Sequence, residues 1–374
     1  MRITVTIVIA ILFLFCSCSS VSSEDAEPNA THKVGFVGPS RGVLYENVLR
    51  IVEASGGILI TTEKMISEPL DQLEIVQYMI DAGCDGFIIL PLTDVILPQI
   101  AEMCEEAHVY WATVMRPILD NDIKQIVESS PYYAGRVHEN DEETAYEIVR
   151  RLGSEGKKKI ALIVPYQSDT VGKARANGLY KAAYEYGIDV VAVVSNASTE
   201  EDVFQIMSDV IAAKPDLDAV FHVGSFVLNS TSAAIRAIEA SGRSQQIQFA
   251  SIDFGGITEE DFEKGIVIVA AGGHPVLDCV LSAGILINAI NGTPVSPDGP
   301  LEVMIDYLVI NSARDLREYN QANSENGGVL FSLDAARQLL LRKFNPALAQ
   351  EDYNHIAAVY NQEYLGVLRR WNSG

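Results

Sequence analysis

The sequence predicts an α/β fold of two doubly wound parallel-sheet lobes, followed by a helical C-terminal extension. Three observations carry this. From Lys33 to Ile310, short apolar runs alternate with amphipathic helical patterns, an order that implies parallel strands with right-handed helical crossovers. Runs such as Gly86-Phe-Ile-Ile-Leu90 are apolar throughout, as expected of strands covered on both faces. After five strands the pattern restarts near residue 139, and 374 residues suit two domains of ordinary size. A single closed eight-fold barrel is the structural rival, but it would not explain the restart.

The first strand, Lys33 to Gly38, breaks at Gly38-Pro39. Val43, Leu44, Val48, Ile51 and Val52 then fall at helical spacing, so Val43 to Ala54 is a helix, ended by Gly56-Gly57. Ile58 to Thr61 is a strand. Leu70 to Ala82 is a helix with Leu73, Val76, Met79 and Ile80 on one face. Gly86 to Leu90 is a strand stopped by Pro91, Asp94 to Ala107 a helix, and Val109 to Val114 a strand. Residues 117–132 read as a loop and Tyr133 to His138 as the fifth strand.

The second run begins with a helix, Asp141 to Gly153, then a strand, Lys159 to Val164. A helix over Val171 to Tyr186 and a strand over Asp189 to Val194 follow. Ser198-Thr-Glu-Glu-Asp202 has capping-box chemistry and opens a helix to Ala213. Ala219 to Val223 is a strand, about Leu228 to Ser241 a helix, and Gln248 to Ile252 a strand. Thr258-Glu-Glu-Asp261 starts a short helix, and Ile266 to Ala271 is a strand. Pro275 to Asn291 is a strongly apolar helix, and Leu301 to Ile310 a last strand, for about ten in all. Beyond Ser312, Ala313 to Asn320 is helical, Asn323 to Gly328 a turn, Ser332 to about Phe344 a helix, and Tyr353 to Arg369 a final amphipathic helix. Such stripes usually face a core, so this tail is expected to cap the fold.

Net charge is −23, which excludes nucleic acid as a partner, since its binding needs clustered Lys and Arg. Arg2 followed by the apolar stretch Ile3 to Phe15 has the length of a signal-peptide core, too short to span a bilayer as a mature helix. Phe15-Cys16-Ser17-Cys18-Ser19 and a polar run come next. This resembles a bacterial lipoprotein signal, which implies cleavage after residue 17, a lipidated Cys18 and a tether over 18–32. The chain is thus expected outside the cytoplasm, in the periplasm or at the cell surface, lipid-anchored to a membrane. Cys84, Cys104 and Cys279 have no regular spacing and make neither a disulfide framework nor a zinc site. They are expected to be buried thiols, with a Cys84–Cys104 bridge the alternative.

No catalytic signature is present: no Gly-x-Ser-x-Gly elbow, no phosphate loop and no Gly-x-Gly-x-x-Gly after the first strand. No metal or cofactor is implied, and the six histidines are scattered. What remains is a set of polar and aromatic residues just after strands, where ligands sit in open α/β sheets. Ser40 and Tyr45 follow the first strand, Met115 and Arg116 the fourth, and Asn140 the fifth. Lys173 and Arg175 start the helix after Pro165. Ser225 and Phe226, Asp253, and His274 follow later strands. Planar Arg, Asn and Asp beside an aromatic face suit a polyhydroxylated ring, through paired hydrogen bonds and stacking.

These segments together resemble the type I periplasmic binding proteins, in the sugar-binding branch of the ribose receptors. The resemblance runs from about Lys33 to Ile310. It is carried by Lys33-Val-Gly-Phe-Val-Gly-Pro-Ser40, Gly83-Cys-Asp-Gly-Phe-Ile-Ile-Leu-Pro91, Val137-His-Glu-Asn-Asp-Glu-Glu-Thr-Ala-Tyr146, Lys173-Ala-Arg-Ala-Asn-Gly-Leu179, Ile252-Asp-Phe254 and Gly272-Gly-His-Pro275. It implies that Tyr45 stacks on a sugar, that Arg116 and Asp253 bind its oxygens, and that Lys173 or Arg175 supplies a further cation. The carboxylate the family places before the Arg is Met115 here. A Gln near the last crossover is replaced by Gly273, beside His274.

The resemblance also implies an N-terminal lobe of 33–139 plus 274–297 and a C-terminal lobe of 140–273 plus 298–311. A hinge with crossovers near 139, 273 and 297 would join them, and 312–374 would form the extension. The expected function is capture of a small polar solute, a sugar, and its delivery to a membrane ABC permease. The alternative is a sensory receptor presenting the ligand to a sensor kinase or chemoreceptor. An enzyme on a similar fold lacks the nucleophile, base and metal it would need.

Overall fold

The computed structural model describes residues 32–362, apart from 65, 67, 165–169, 196, 225–228, 273–274 and 326–327. The expected signal peptide, the expected lipidation site Cys18 and the expected tether up to residue 31 lie outside the described residues.

The first sheet takes β1 (Lys33–Val37), β2 (Ile58–Ile60), β3 (Gly86–Ile89), β4 (Tyr110–Val114) and β5 (Tyr133–Glu139). Their helices are α1 (Val43–Ser55), α2 (Pro69–Asp81), α3 (Leu97–Ala107) and α4 (Asn121–Ser129). The second run holds α5 (Asp141–Ser154), β6 (Lys159–Ile163), α6 (Thr170–Tyr186), β7 (Asp189–Val194), α7 (Glu200–Ala213), β8 (Ala219–His222), α8 (Ser230–Ala240), β9 (Gln248–Ile252), α9 (Glu259–Glu263) and β10 (Val267–Gly272). Then come α10 (Pro275–Ile290), β11 (Leu301–Ile305), β12 (Leu308–Ile310) and the extension, α11 (Ala313–Glu325), α12 (Leu333–Leu340) and α13 (Gln350–Gln362).

Two six-stranded sheets result, ordered β11-β5-β4-β3-β1-β2 and β12-β10-β9-β8-β6-β7. Every pairing is parallel except β12 against β10. The expected last strand therefore divides. Leu301–Ile305 joins the first sheet beside β5, and Leu308–Ile310 joins the second. Residues 298–311, expected whole in the second lobe, are shared between the two. The third passage between sheets lies at 305–308, not near 297. The apolar pattern runs on through the passage, so it could not mark where the chain changes sheet.

Residues 117–132, expected as a loop, contain α4. Asp120 caps it, its carboxylate accepting from the backbone N–H of Asp122 and Ile123. The signal was there in Ile123, Ile126 and Val127 at helical spacing. The capping box at Thr199 and Asp202 appears as expected, and Thr258, expected to start a short helix, forms a second one with Asp261. In the extension α11 runs past the expected Asn320 into the expected turn, and α12 stops at Leu340 instead of Phe344. Residues 363–369 of the expected final helix are outside the described residues.

Each sheet is covered on both faces. Leu277 to Ala289 of α10 are all buried, because α1 lies on one side and the extension on the other. Phe331, Leu340 and Tyr353 are completely buried against it, and burying each such side chain contributes about 1.5–3 kcal/mol. The Asn288 side chain donates to the carbonyl of Leu340 and accepts from the N–H of Arg342. Helices α12 and α13 of the extension are therefore part of the first lobe's core. Cys84, Cys104 and Cys279 are free and buried. Burial pushes the Cys84 thiol up to about 12, so it is unreactive.

Helices α5 and α6 approach closely at Gly178, where an added Cβ would lie 1.9 Å from the Glu142 carbonyl oxygen. Gly178→Ala is expected to force the helices apart and cost roughly 1–3 kcal/mol, read as a fall in the unfolding midpoint. A midpoint equal to the wild type would show that the contact yields freely.

Candidate functional site

The strand ends of both sheets carry the candidate residues. Ser40 lies in the bend after β1 and Tyr45 in the first turn of α1, both half-buried. Met115 ends β4 with φ of 60°, a left-handed backbone that bulky residues seldom adopt. The half-buried Arg116 follows, its Nη1 donating to the Met115 carbonyl at 3.4 Å. Asp253 follows β9 with φ of 77°. Ser225, Phe226 and His274 lie outside the described residues.

Lys173 and Arg175 have different surroundings. Two positions along a helix is about 200° of rotation, so Lys173 is exposed while Arg175 is buried. Arg175 Nε donates to Asp141 Oδ1 at 2.7 Å, Nη1 to the Val223 carbonyl at 2.7 Å, and Nη2 to the Tyr307 hydroxyl at 2.6 Å. The Tyr307 hydroxyl in turn donates to Asp141 Oδ1 at 2.8 Å. Burial works against the charged guanidinium. Tyr307, Asp141 and Asp253 around it more than offset that and hold it well above its ordinary value. Gly224 fits between these groups because it has no side chain. A Cβ there would meet Arg175 Nη1 at 2.2 Å and lie 3.6 Å from Asp253 Oδ2. Arg175 and Asp253 are thus brought together on the second lobe. Asn140 turns the other way: its Nδ2 donates to Asp306 Oδ1 at 3.3 Å, at the third passage between the sheets. It lines a cavity of about 460 Å³ with Thr144, Asp306, Tyr307 and Val309.

Sequence reasoning missed two features. Asp94 is buried and joins the lobes. Its Oδ1 accepts from Thr170 Oγ1 at the start of α6 at 2.9 Å, and its Oδ2 from the N–H of Leu119 at 2.9 Å. Its only signal was the position after the third strand. The second feature is a carboxyl pair at the passages. Glu139 ends β5, Asp278 lies in the first turn of α10, and both are buried. Two carboxylates offer each other no donor, so the contact becomes a hydrogen bond only when one is protonated. Burial first, then the Asp141 charge, raises the Glu139 carboxyl. Burial and the neighbouring Glu139 hold Asp278 well above the usual carboxylate range. When Asp278 is the protonated member it can donate to Glu139. At β8, burial lowers His222 to about 4, so it is neutral near pH 7. Among the described residues no group of three His, Cys, Asp or Glu could hold a metal ion, and no helix is long and apolar enough to cross a membrane.

Two outcomes follow. Arg175→Met strands the buried Asp141 carboxylate and is expected to cost about 3–5 kcal/mol in denaturant unfolding; a loss under about 1 kcal/mol would contradict the pairing. Raised carboxyls stabilise the fold fully below their unfolded values, and that contribution is lost as pH rises through their folded values. Melting temperature should therefore carry a component that falls from about pH 4 upward. Asp278→Asn, which keeps a donor for Glu139 but cannot ionise, should flatten it. An unchanged pH slope in that variant would remove the pair as its source.

A periplasmic binding protein domain model matches residues 50–275, more than half the chain. Among solved structures, an ABC transporter periplasmic solute-binding protein from Actinobacillus succinogenes with bound D-allose is 16% identical. Its TM-score is 0.64, and the match covers 76% of this chain and 99% of that one. A solute-binding protein from Bacillus halodurans with bound myo-inositol is 16% identical, with TM-score 0.62 and coverage of 79% and 99%. A periplasmic sugar-binding protein from Pseudomonas fluorescens is 15% identical, with TM-score 0.65 and coverage of 86% and 99%. Comparison with curated proteins gives no significant match. The two-sheet fold with three passages and the family match agree: the chain belongs to the periplasmic binding protein domain family, and is a binding protein rather than an enzyme.

Proposed function

We propose that this protein captures a sugar between its two lobes by hinge closure and delivers it to an ABC importer in the membrane. The observation that carries the reading is the placement of polar side chains at facing strand ends. Arg116 and Tyr45 stand at the ends of the first sheet. Asp253 and Arg175 stand together at the end of the second. Arg and Asp with an aromatic face match a ring bearing several hydroxyls. The solutes named with two structural neighbours, D-allose and myo-inositol, are of that chemistry. The lobe boundaries near 139 and 273, the ligand residues Ser40, Tyr45, Met115, Arg116, Asn140, Lys173, Arg175, Ser225, Phe226, Asp253 and His274, and a lipid anchor at Cys18 belong to the same proposal. A ligand drives closure only by binding the closed arrangement more tightly than the open one.

A second reading, a receptor that presents its sugar to a membrane sensor kinase or chemoreceptor, draws on the extension. Helices α11 to α13 add a folded surface beyond the two sheets, available to a signalling partner. An importer permease in the same operon supports the first reading, and a sensor kinase there supports the second.

The test is a thermal-shift screen against sugars, polyols, sugar acids, nucleosides and amino acids. A specific ligand at a hundredfold excess over Kd stabilises by about 2.7 kcal/mol. The expected hit is a sugar or polyol; a hit confined to amino acids or nucleosides would overturn the sugar assignment. With the stabilising sugar, Arg116→Ala should bind roughly 10–100-fold more weakly, the loss of a charge-assisted hydrogen bond, with an unchanged circular dichroism spectrum. Wild-type affinity would remove Arg116 from the site.

A further inference from the structure

The C-terminal extension holds both lobes at once. On the second lobe, Leu316 of α11 enters the core, and Arg317 pairs with Glu259, Nε to Oε2 at 2.9 Å. The Tyr319 ring meets the Phe254 ring edge-on, with centroids 4.8 Å apart. Only two residues separate α11 from Gly328, where the chain is fixed to the first lobe. There the Asn47 side chain donates to the Gly328 carbonyl at 2.7 Å and accepts from the Leu330 N–H at 2.8 Å. Leu330 and Phe331 then enter the core beneath α1.

The location of the two attachments gives them a consequence. Asn47 lies in the second turn of α1, the helix that follows β1, and Phe254 lies just beyond the end of β9. At this side of the sheets the lobes meet, Thr170 donating to Asp94 across them, so swinging the lobes apart moves the attachments apart. Tyr319 packs against the hydrophobic cores of both lobes, as does Leu308 at the third passage. The Phe254 ring lies against Gly272 at the second passage, so closely that a Cβ on that glycine would sit 2.1 Å from the ring. A line of contacts therefore runs from Gly272 through Phe254, one residue after the candidate ligand residue Asp253, and Tyr319 to both cores.

We propose that the extension is a strap across the cleft, with Tyr319 as its wedge at the hinge, and that it restrains lobe opening. This rests on reading the two lobes as a clamp. A clamp restrained in this way keeps a larger share of molecules in the closed arrangement, and its apparent affinity improves by that share.

Small-angle scattering of the ligand-free protein tests the strap without any sugar. A failed sugar screen and a failed strap are therefore separate results. Tyr319→Ala and Asn47→Ala, shown folded by circular dichroism, are expected to increase the radius of gyration and the maximum dimension. Tyr319→Phe, which keeps the ring, should scatter like the wild type. If Asn47→Ala does not fold, Arg317→Gln loosens α11 from an exposed pair and should give the same expansion. Folded variants with wild-type scattering curves would overturn the proposal. A lower melting temperature without expansion would do so too, since the extension would then only add stability.

Discussion

One buried guanidinium organises the region where the lobes meet. Arg175 is carried on α6 of the second lobe and bonds to Asp141 at the first passage, Tyr307 at the third, and the end of β8. Taking a charge out of water costs several kcal/mol, which the protein recovers only with good geometry and full hydrogen bonding. That requirement orders the neighbourhood. Position 224 has to be glycine for backbone to pass the guanidinium. Helix α6 has to lie close on α5, which Gly178 permits. Asp253, held in a left-handed turn, lies beside the same cation. Residues that would touch a ligand and residues that set the lobe angle are thus one connected group.

The acidic side of this region follows from the same economy of charge. Three buried carboxyls, Glu139, Asp141 and Asp278, cluster here, and the first two face Arg175. Asp141 takes the guanidinium, while burial and mutual repulsion raise the other two. The passages between sheets therefore contain both a fixed ion pair and a titratable pair. The extension adds a third element: a ring instead of a charge, Tyr319 packed on Phe254, which lies against Gly272 at the second passage.

Much of the architecture was legible because its signals are local. Continuous apolar strands, the capping box at Thr199, the helix start at Thr258, and the restart near residue 139 each reflect a short-range rule. The division of 301–310 between two sheets was not legible. Strand pairing partners are set by distant residues, and a two-residue passage at 306–307 leaves no mark in an apolar pattern. Helix α4 was readable from Asp120 and the spacing after it. At the site, Arg175 was found from its place after a strand, but its burial was not. Whether an arginine faces a ligand or a carboxylate depends on Asp141 and Tyr307, 34 and 132 residues away in sequence. Asp278 sits in an apolar helix, where its presence was the clue; its partner Glu139 lies on another element.

The central claim is that a small solute is held by both lobes together. Hydrogen–deuterium exchange of the full protein, with and without the sugar that stabilises it, tests this most directly. The account predicts that the sugar slows exchange at residues 38–45 and 115–116 of the first lobe and at 253–254 of the second, together with the passages at 139–141 and 305–308. Protection confined to one lobe, with the passages unchanged, would contradict it.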